Sequence, residues 1–291
     1  MNDQSSKVVL VTGASRGIGA AVADEPRPGP LIGGVASLLP NFGPNKLIID
    51  GSVRESGAVC LSFSGDVRID TLVSQGCRPI GPPFVVTKAK GNLIFELGGR
   101  PALEQARAVV GELDDAARSA LDGGLLIGRA VSEYRERFGR GDFLIRGIVG
   151  ADDDLGYLAV GEPMPAGRTV QFHLHDRATA DEDLSLLLDG QKLHGPPAGV
   201  LAVSCTGRGR RLFGTYGHDA SAIQRAFGGV EPGAERAKSG RASDPAETPV
   251  PLAGLFAGGE IGPFDGRPYA HGHTVSLALF RAIGDTSETP A

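Results

Sequence analysis

Tryptophan is absent from this 291-residue sequence, aromatic residues make up only 5% of it, and cysteine occurs three times. With so few rings, the core has to be built from Val, Leu, Ile and Ala side chains. The three cysteines, Cys60, Cys77 and Cys205, are odd in number, far apart and outside any CxxC pair. This usage indicates a reducing compartment.

Long hydrophobic runs and strong positive charge are also missing. No run approaches the roughly 20 apolar residues of a membrane-spanning helix, and Val8–Val11 is too short for the apolar region of a signal peptide. The net charge is −5, and Arg208–Arg211 is the only dense basic segment, so no basic surface balances the phosphates of a nucleic acid. We therefore predict a cytoplasmic protein that binds neither membranes nor nucleic acid.

Glycine and proline are abundant instead, at 44 and 20 residues. No collagen-like period explains them, whereas many turns between short strands would. Hydrophobic residues make up 41% and charged residues 22%, as is typical of a globular protein, and the length suffices for two domains. Strand patterns are interspersed with helical ones, so the sequence predicts a mixed α/β (α+β) fold.

The predicted strands are apolar or alternating segments between turn formers. They cover Lys7–Val11, Lys46–Asp50, Ala58–Phe63, Asp66–Ser74, Phe84–Thr87, Asn92–Glu96, Leu125–Val131, Phe143–Val149, Thr169–His175, Gly199–Ser204, Pro251–Ala257 and Thr274–Phe280. The predicted helices cover Pro101–Val110, Asp114–Leu121, Ala180–Leu188 and Asp219–Phe227. The remaining segments are predicted as Gly/Pro loops at Gly76–Pro83 and after Glu260, a disordered insertion at Glu231–Thr248 and a loose tail at Gly284–Ala291.

One motif occurs twice. Pro30-Leu31-x-Gly33-x-x-Ala36 returns as Pro251-Leu252-x-Gly254-x-x-Ala257, and in each copy a glycine-rich turn and then a strand follow. The repetition predicts two related halves, each with a sheet and helices.

The segment Thr12–Gly19, TGASRGIG, follows a predicted strand and has the glycines that let a backbone approach a pyrophosphate. It resembles the opening of a short-chain dehydrogenase/reductase. However, Pro26 ends the following helix too early for a crossover, and no tyrosine has a lysine four residues later. We therefore interpret residues 1–25 as a dehydrogenase-like leader fragment and predict that NAD(P) does not bind and that no cofactor is present.

Pro251–Arg281 is the segment around which the sequence is organised, because it holds an acid and two histidines between apolar runs. Glu260 follows a glycine pair, and its carboxylate either binds a ligand amine or accepts hydrogen bonds from the protein. His271 and His273 project to one face of a strand, as do His173 and His175. Two such pairs suggest a metal site, but single hydrogen-bonded imidazoles explain them better, so we predict no bound metal.

The loop Cys205–Arg211 follows a predicted strand and combines glycines with arginines. Its N–H groups and guanidinium groups would form a receptor for a carboxylate or a phosphate. The alternative is a solvated loop whose arginines pair with Glu133 or Asp142. Cys205 is either a nucleophile with a pKa lowered by a neighbouring arginine or a small core residue.

Six segments together resemble FIST-domain proteins, which are bacterial-type cytoplasmic sensory modules proposed to bind small ligands. They are Pro30–Ser37, Ser64–Pro83, Gly139–Gly150, Gln171–Leu184, Ser204–Phe213 and Gly259–Gly272. The resemblance implies a partial N-terminal FIST domain at residues 26–132 and a C-terminal FIST domain at residues 133–283, with a tail at 284–291. Members often carry Cys-Ala before Gly-Glu, whereas Ala257-Gly258-Gly259-Glu260 lacks that cysteine.

The resemblance implies a ligand-binding function without catalysis, with amino acids as one ligand class and a separate protein as the signalling output. The motif positions proposed to line the pocket are Cys205, Arg208, Gly209, Glu260, Gly262 and His271. Arg208 would bind the ligand carboxylate and Glu260 the amine. The alternatives are an NAD(P)-dependent short-chain oxidoreductase, a metal-dependent hydrolase built on the histidine pairs, and a gene product with no activity.

Overall fold

The computed structural model describes residues 8–14, 30–35, 46–135, 137–139, 141–228 and 248–282. The chain divides into two compact units that are discontinuous in sequence. The first unit comprises Met1–Ser74, Asp183–Ala270 and Thr274–Ala291, and the second comprises Gln75–Glu182 and His271–His273. Spatial contacts define these units, whereas the division into residues 1–25, 26–132 and 133–283 was a prediction about sequence domains, and it stays a prediction.

Strands dominate the described residues. They are β1 (Val8–Ala14), β2 (Leu31–Gly34), β3 (Leu47–Ile49), β4 (Ser52–Arg54), β5 (Ala58–Phe63), β6 (Val67–Ser74), β7 (Cys77–Lys90), β8 (Leu93–Leu97), β9 (Arg100–Pro101), β10 (Leu126–Ala130), β11 (Phe143–Ala151), β12 (Leu158–Val160), β13 (Thr169–His175), β14 (Gly199–Cys205), β15 (Leu252–Ala257), β16 (Glu260–Phe264), β17 (Arg267–His271) and β18 (Val275–Ala282). The α-helices are α1 (Ala102–Gly111), α2 (Asp115–Ser119), α3 (Arg177–Lys192), α4 (Arg210–Phe213) and α5 (His218–Phe227), and 3-10 turns cover Ala120–Gly123 and Thr206–Arg208. The prediction of a mixed class with both helices and strands is confirmed, with strands in the majority.

The second unit is a small antiparallel barrel. Its strands follow the order β12-β11-β10-β13-β7-β8, and β12 pairs again with β8 to close the ring. The short β9 pairs with β8 at Glu96 and Leu97. Fully buried Ile94, Leu97 and Phe172 belong to its core, against which α1 packs through Ala106 and Val109.

The first unit contains two larger sheets and one hairpin. One sheet has the order β17-β16-β2-β1-β5, the other has the order β15-β14-β18-β6, and β3 pairs with β4. β1–β2 and β14–β15 are parallel pairs, and the first strand of each pair is antiparallel to a further strand, β5 or β18. The two copies of the repeated motif form β2 and β15, and each pairs in parallel with one strand; β2 also pairs with β16, whereas β15 is the outer strand of its sheet.

Two predicted loops were wrong, because both form strands. Gly76–Pro83 contributes the first half of β7, where the register against β13 shifts between Val170 and Phe172 and leaves Gly81–Pro83 as a bulge. A bulge accommodates prolines, which have no N–H to donate to the sheet. The segment after Glu260 is the β16–β17 hairpin, and its turn residues Asp265 and Gly266 both have positive φ, 48° and 73°.

Several predictions fall outside the described residues. They are the short helix after Gly17, the tail at Gly284–Ala291 and, apart from Thr248, the disordered insertion at Glu231–Thr248. In the part of the chain that the structure does describe, no helix combines the length and apolarity needed to cross a membrane.

A glycine substitution tests the barrel packing. A Cβ at Gly128 in β10 would lie 2.6 Å from His173 Cε1 and 2.8 Å from Phe143 Cβ, so Gly128→Ala is expected to destabilise the fold by about 1–3 kcal/mol through overpacking. Gly147→Ala on the neighbouring strand β11 is the matched control, because nothing lies within 4 Å of its added Cβ. Denaturant unfolding that gave equal losses for both variants would contradict this account of the core.

Candidate functional site

The structure places five of the six predicted site residues in the first unit and His271 in the second. Cys205 is the last residue of β14, Arg208 lies in the 3-10 turn that follows, and Gly209 precedes α4. Glu260 and Gly262 lie in β16. The candidate site is therefore built where β14 and β15 end and β16 begins.

Arg208 is the centre of a buried ionic network. Its side chain is 0% exposed, and its Nε and Nη2 atoms donate hydrogen bonds to the two carboxylate oxygens of Asp219 at 3.0 and 2.9 Å. The remaining nitrogen, Nη1, is buried and has no hydrogen-bond partner among the described residues. Nη1 is therefore the one guanidinium nitrogen of Arg208 without a hydrogen-bond partner among the described residues.

Asp219 holds this network together at the start of α5. Besides Arg208, it accepts a hydrogen bond from Ser204 Oγ at 2.6 Å and contacts His218 Nδ1 at 3.1 Å. Burial opposes its ionisation, but the hydrogen bonds from His218, Arg208 and Ser204 and the charge of Arg208 hold the Asp219 pKa well below its usual range. The prediction that the loop arginines pair with Glu133 or Asp142 was wrong for Arg208, because Asp219 takes that place.

Phe213 orders the imidazole and the guanidinium of this network. Its ring stacks on that of His218 with centroids 3.5 Å apart, and Arg208 lies over the ring with Cζ 5.4 Å from the centroid. Sequence patterns missed Ser204, His218 and Asp219, although a histidine and an aspartate at the start of a predicted helix, after Gly217, were visible in the sequence.

Glu260 is completely buried. Its Oε2 accepts hydrogen bonds from Thr274 N at 3.2 Å and Thr274 Oγ1 at 2.8 Å, whereas Oε1 has no partner among the described residues. Burial raises the pKa of this carboxyl group to about 8, against the opposing effect of hydrogen bonds from Thr274 and Cys205 and of the Arg208 charge. Burial thus favours the protonated form of Glu260, while Cys205 and Arg208 both interact with it and favour the ionised form.

The remaining predicted site residues are Gly262, Gly209 and His271, and the first two make packing or backbone contacts within the protein. A Cβ at Gly262 would lie 2.4 Å from Val73 Cγ2 and 2.9 Å from Ser276 Oγ, so the glycine lets β16 pack closely. The carbonyl of Gly209 accepts hydrogen bonds from the N–H groups of Leu212 and Phe213. His271 is buried at the end of β17.

The histidine pairs do not assemble a recognisable metal site. The rings of His175 and His273 are 5.0 Å apart, whereas His173 contacts Phe143 and the carbonyl of Gln171. Burial lowers the pKa of His173 to about 4, against the effect of that carbonyl. Among the described residues, no group of three or more His, Cys, Asp or Glu side chains is arranged to hold a metal ion.

A pocket of about 300 Å³ opens between the start of α5 and β15. Its polar side is formed by Ser204, Arg208, His218 and Asp219, and its apolar side by Ala202 and Leu252–Phe256. Gly217 and Ala220 complete the lining, so the positive end of the α5 dipole borders the pocket. Neither Cys205 nor Glu260 is among the residues that line it.

Two comparisons with known proteins bear on this site. The sequence profile of the FIST N domain matches residues 5–100, and that of the FIST C domain matches residues 102–263. Uncharacterized proteins of Mycobacterium tuberculosis and Mycobacterium bovis are 43% identical to the chain over 252 residues. That alignment covers 86% of this chain and 60% of the relatives, so the chain spans about three fifths of their length.

The match from residue 5 gives no support to the separate dehydrogenase-like leader. The strand register offers a physical reason for the misleading motif. Leu31 pairs with Val9 and Leu252 pairs with Val200, so Val9–Thr12 of β1 lies beside β2 as Val200–Val203 of β14 lies beside β15. Thr12–Ala14, the first three residues of TGASRGIG, thus belong to a strand of a parallel pair like β14–β15, and the rest of the motif lies outside the described residues.

Removing the negative charge of Asp219 tests the ionic network. We expect Asp219→Asn to destabilise the protein by about 3–5 kcal/mol, because it leaves the Arg208 charge buried without a partner. Glu104→Gln is the control, since its ion pair with Arg100 is more than half exposed on both sides and is worth less than about 1 kcal/mol. Equal midpoints of urea unfolding for the two variants would refute the assignment.

The raised pKa of Glu260 predicts a pH dependence of stability. The folded state holds this proton up to about pH 8, whereas the unfolded carboxyl group releases it near 4.5, so the contribution of Glu260 to folding falls as pH rises between those values. Glu260→Gln is expected to flatten the stability profile from pH 5 to pH 8. Asp219 has the opposite pH dependence. The stability that it contributes is lost only as pH falls below about 4, outside the range from pH 5 to pH 8. An unchanged slope in Glu260→Gln would contradict the prediction.

Proposed function

Because the chain belongs to the FIST family, whose domains are generally regarded as small-ligand sensory domains, we propose that it senses a small carboxylate-bearing metabolite in the pocket beside Arg208. Binding occurs without chemistry, and a separate protein receives the signal. The observation that carries this proposal is that Arg208, whose buried Nη1 has no hydrogen-bond partner among the described residues, lines a pocket of about 300 Å³.

The chemistry of the pocket favours an anionic group on the ligand. Arg208 supplies a charged donor, and the first N–H groups of α5 supply neutral donors at the positive end of the helix dipole. The Asp219 carboxylate is already engaged by Ser204, Arg208 and His218, so its charge is neutralised within the protein. A ligand carboxylate would thus meet donors rather than a free negative charge.

Amino acids fall within this class of carboxylate-bearing ligands. The role of Glu260, however, differs from the one that the sequence analysis gave it. The sequence analysis assigned the ligand amine to Glu260, but this carboxyl group is completely buried, and burial raises its pKa. It does not line the pocket. We therefore propose that Glu260 instead fixes the β16 end of the site through Thr274 and Cys205, and that the ligand amine stays in solvent.

A ligand screen tests the proposed function. We expect small carboxylic acids and amino acids at millimolar concentration to raise the unfolding temperature, because ligands that bind the folded state stabilise it. Ala220→Asp should abolish the shift by placing a negative charge in the pocket lining, while the helix dipole tolerates an acid in its first turn. Ser221→Asp is the matched control, since residue 221 does not line the pocket. No shift with any acid, or equal shifts in both variants, would refute the proposal.

A further inference from the structure

The pocket beside Arg208 opens along a strand edge that lacks a partner in the described part of the chain. β15 pairs with β14 on one side, and it is the outermost strand of its four-stranded sheet. Four consecutive residues, Ala253–Phe256, are exposed, with Leu255 at 36% and Phe256 at 60%. Exposure of successive residues shows that both faces of the strand are accessible along this stretch.

An open edge strand presents a row of backbone donors and acceptors. A free small metabolite can use few of them, whereas an extended peptide can pair with the whole row and add a strand to the sheet. The residues that line the pocket include the β15 segment Leu252–Phe256 and the start of α5. The site is thus a groove between one strand edge and one helix terminus.

The polarity of the strands determines which end of a peptide would meet Arg208. β14 and β15 are parallel, and Cys205 at the end of β14 pairs with Ala257 at the end of β15. Arg208 and the start of α5 follow that end of β14 in the chain and line the pocket. A strand added parallel to β15 brings its carboxyl terminus to this end, and an antiparallel strand brings its amino terminus, so the positive charge of Arg208 favours the parallel arrangement.

From these observations we propose that the ligand of this site is the C-terminal end of an extended peptide, with its terminal carboxylate bound by Arg208 Nη1 and the first N–H groups of α5. This inference rests on the proposed function, which requires only that a carboxylate binds. The peptide backbone pairs with the outer edge of β15. Its last side chain packs on Ala202 and Phe256, the apolar lining residues on the same face of β14 and β15 as Ser204, which favours an apolar C-terminal residue.

Peptide binding to the full chain tests the inference. The probe is a fluorescein-labelled pool of hexapeptides with random residues at the first five positions, Val or Leu at the sixth and a free C-terminal carboxylate. Fluorescence anisotropy is expected to show saturable binding at least tenfold tighter than that of N-acetylvaline, measured by competition. C-terminal amidation of the pool should weaken binding at least tenfold, and so should N-methylation of alternate backbone nitrogens, because it blocks strand pairing.

The possible outcomes distinguish failure of the peptide inference from failure of the proposed carboxylate-binding function. If N-acetylvaline binds as tightly as the peptides, the proposed function stands and the peptide inference is overturned. If amidated or N-methylated peptides bind like the unmodified pool, the assigned contacts are wrong and the inference also fails. If neither the acid nor the peptides bind, both proposals fail. Weaker peptide binding in Ala220→Asp with normal binding in Ser221→Asp would locate the carboxylate at the start of α5.

Discussion

The buried ion pair between Arg208 and Asp219 is the interaction on which the organisation of the site depends. It joins the turn after β14 to the start of α5 through two charge-assisted hydrogen bonds. Buried charges are costly unless they are paired and hydrogen-bonded, and Ser204 and His218 complete the coordination of the carboxylate. The pair thereby fixes the positions of the helix terminus and of the single guanidinium nitrogen that has no partner among the described residues.

Two carboxyl groups in the same region have opposite electrostatic states for identifiable reasons. Asp219 is hydrogen-bonded to Arg208 and stays ionised, whereas Glu260 has hydroxyl, amide and thiol partners and takes up a proton when buried. The Arg208 charge is therefore balanced by Asp219 within the protein. An anion entering the pocket interacts with oriented N–H groups rather than with a large net charge, which suits discrimination by shape more than strong electrostatic attraction.

Much of the fold could be predicted from the sequence, because hydrophobic periodicity reports local structure. Ala58–Phe63 and Thr169–His175 were predicted to the residue. The β16–β17 hairpin was missed although Asp265-Gly266 is a strong signal for a type I′ turn, since the surrounding glycines and prolines suggested a loop. The partner of Arg208 could not be identified, because the chain between it and Asp219, eleven positions further on, gives no indication of which acid folds back. The TGASRGIG motif misled for a different reason, since its first residues end β1, a strand of a parallel pair like β14–β15, and so resemble the strand that opens a dinucleotide-binding fold.

The closed ring of six strands in the second unit has a consequence for how that unit comes apart. Each strand of the ring is hydrogen-bonded on both sides, because β12 bonds to β8 as well as to β11. A ring has no terminal strand that can peel away by itself, so the first opening event must break an interior ladder. The backbone amides of the ring should therefore exchange with solvent as one cooperative block. Those of the outer strand β15 should exchange independently, because this strand can separate from β14 by itself.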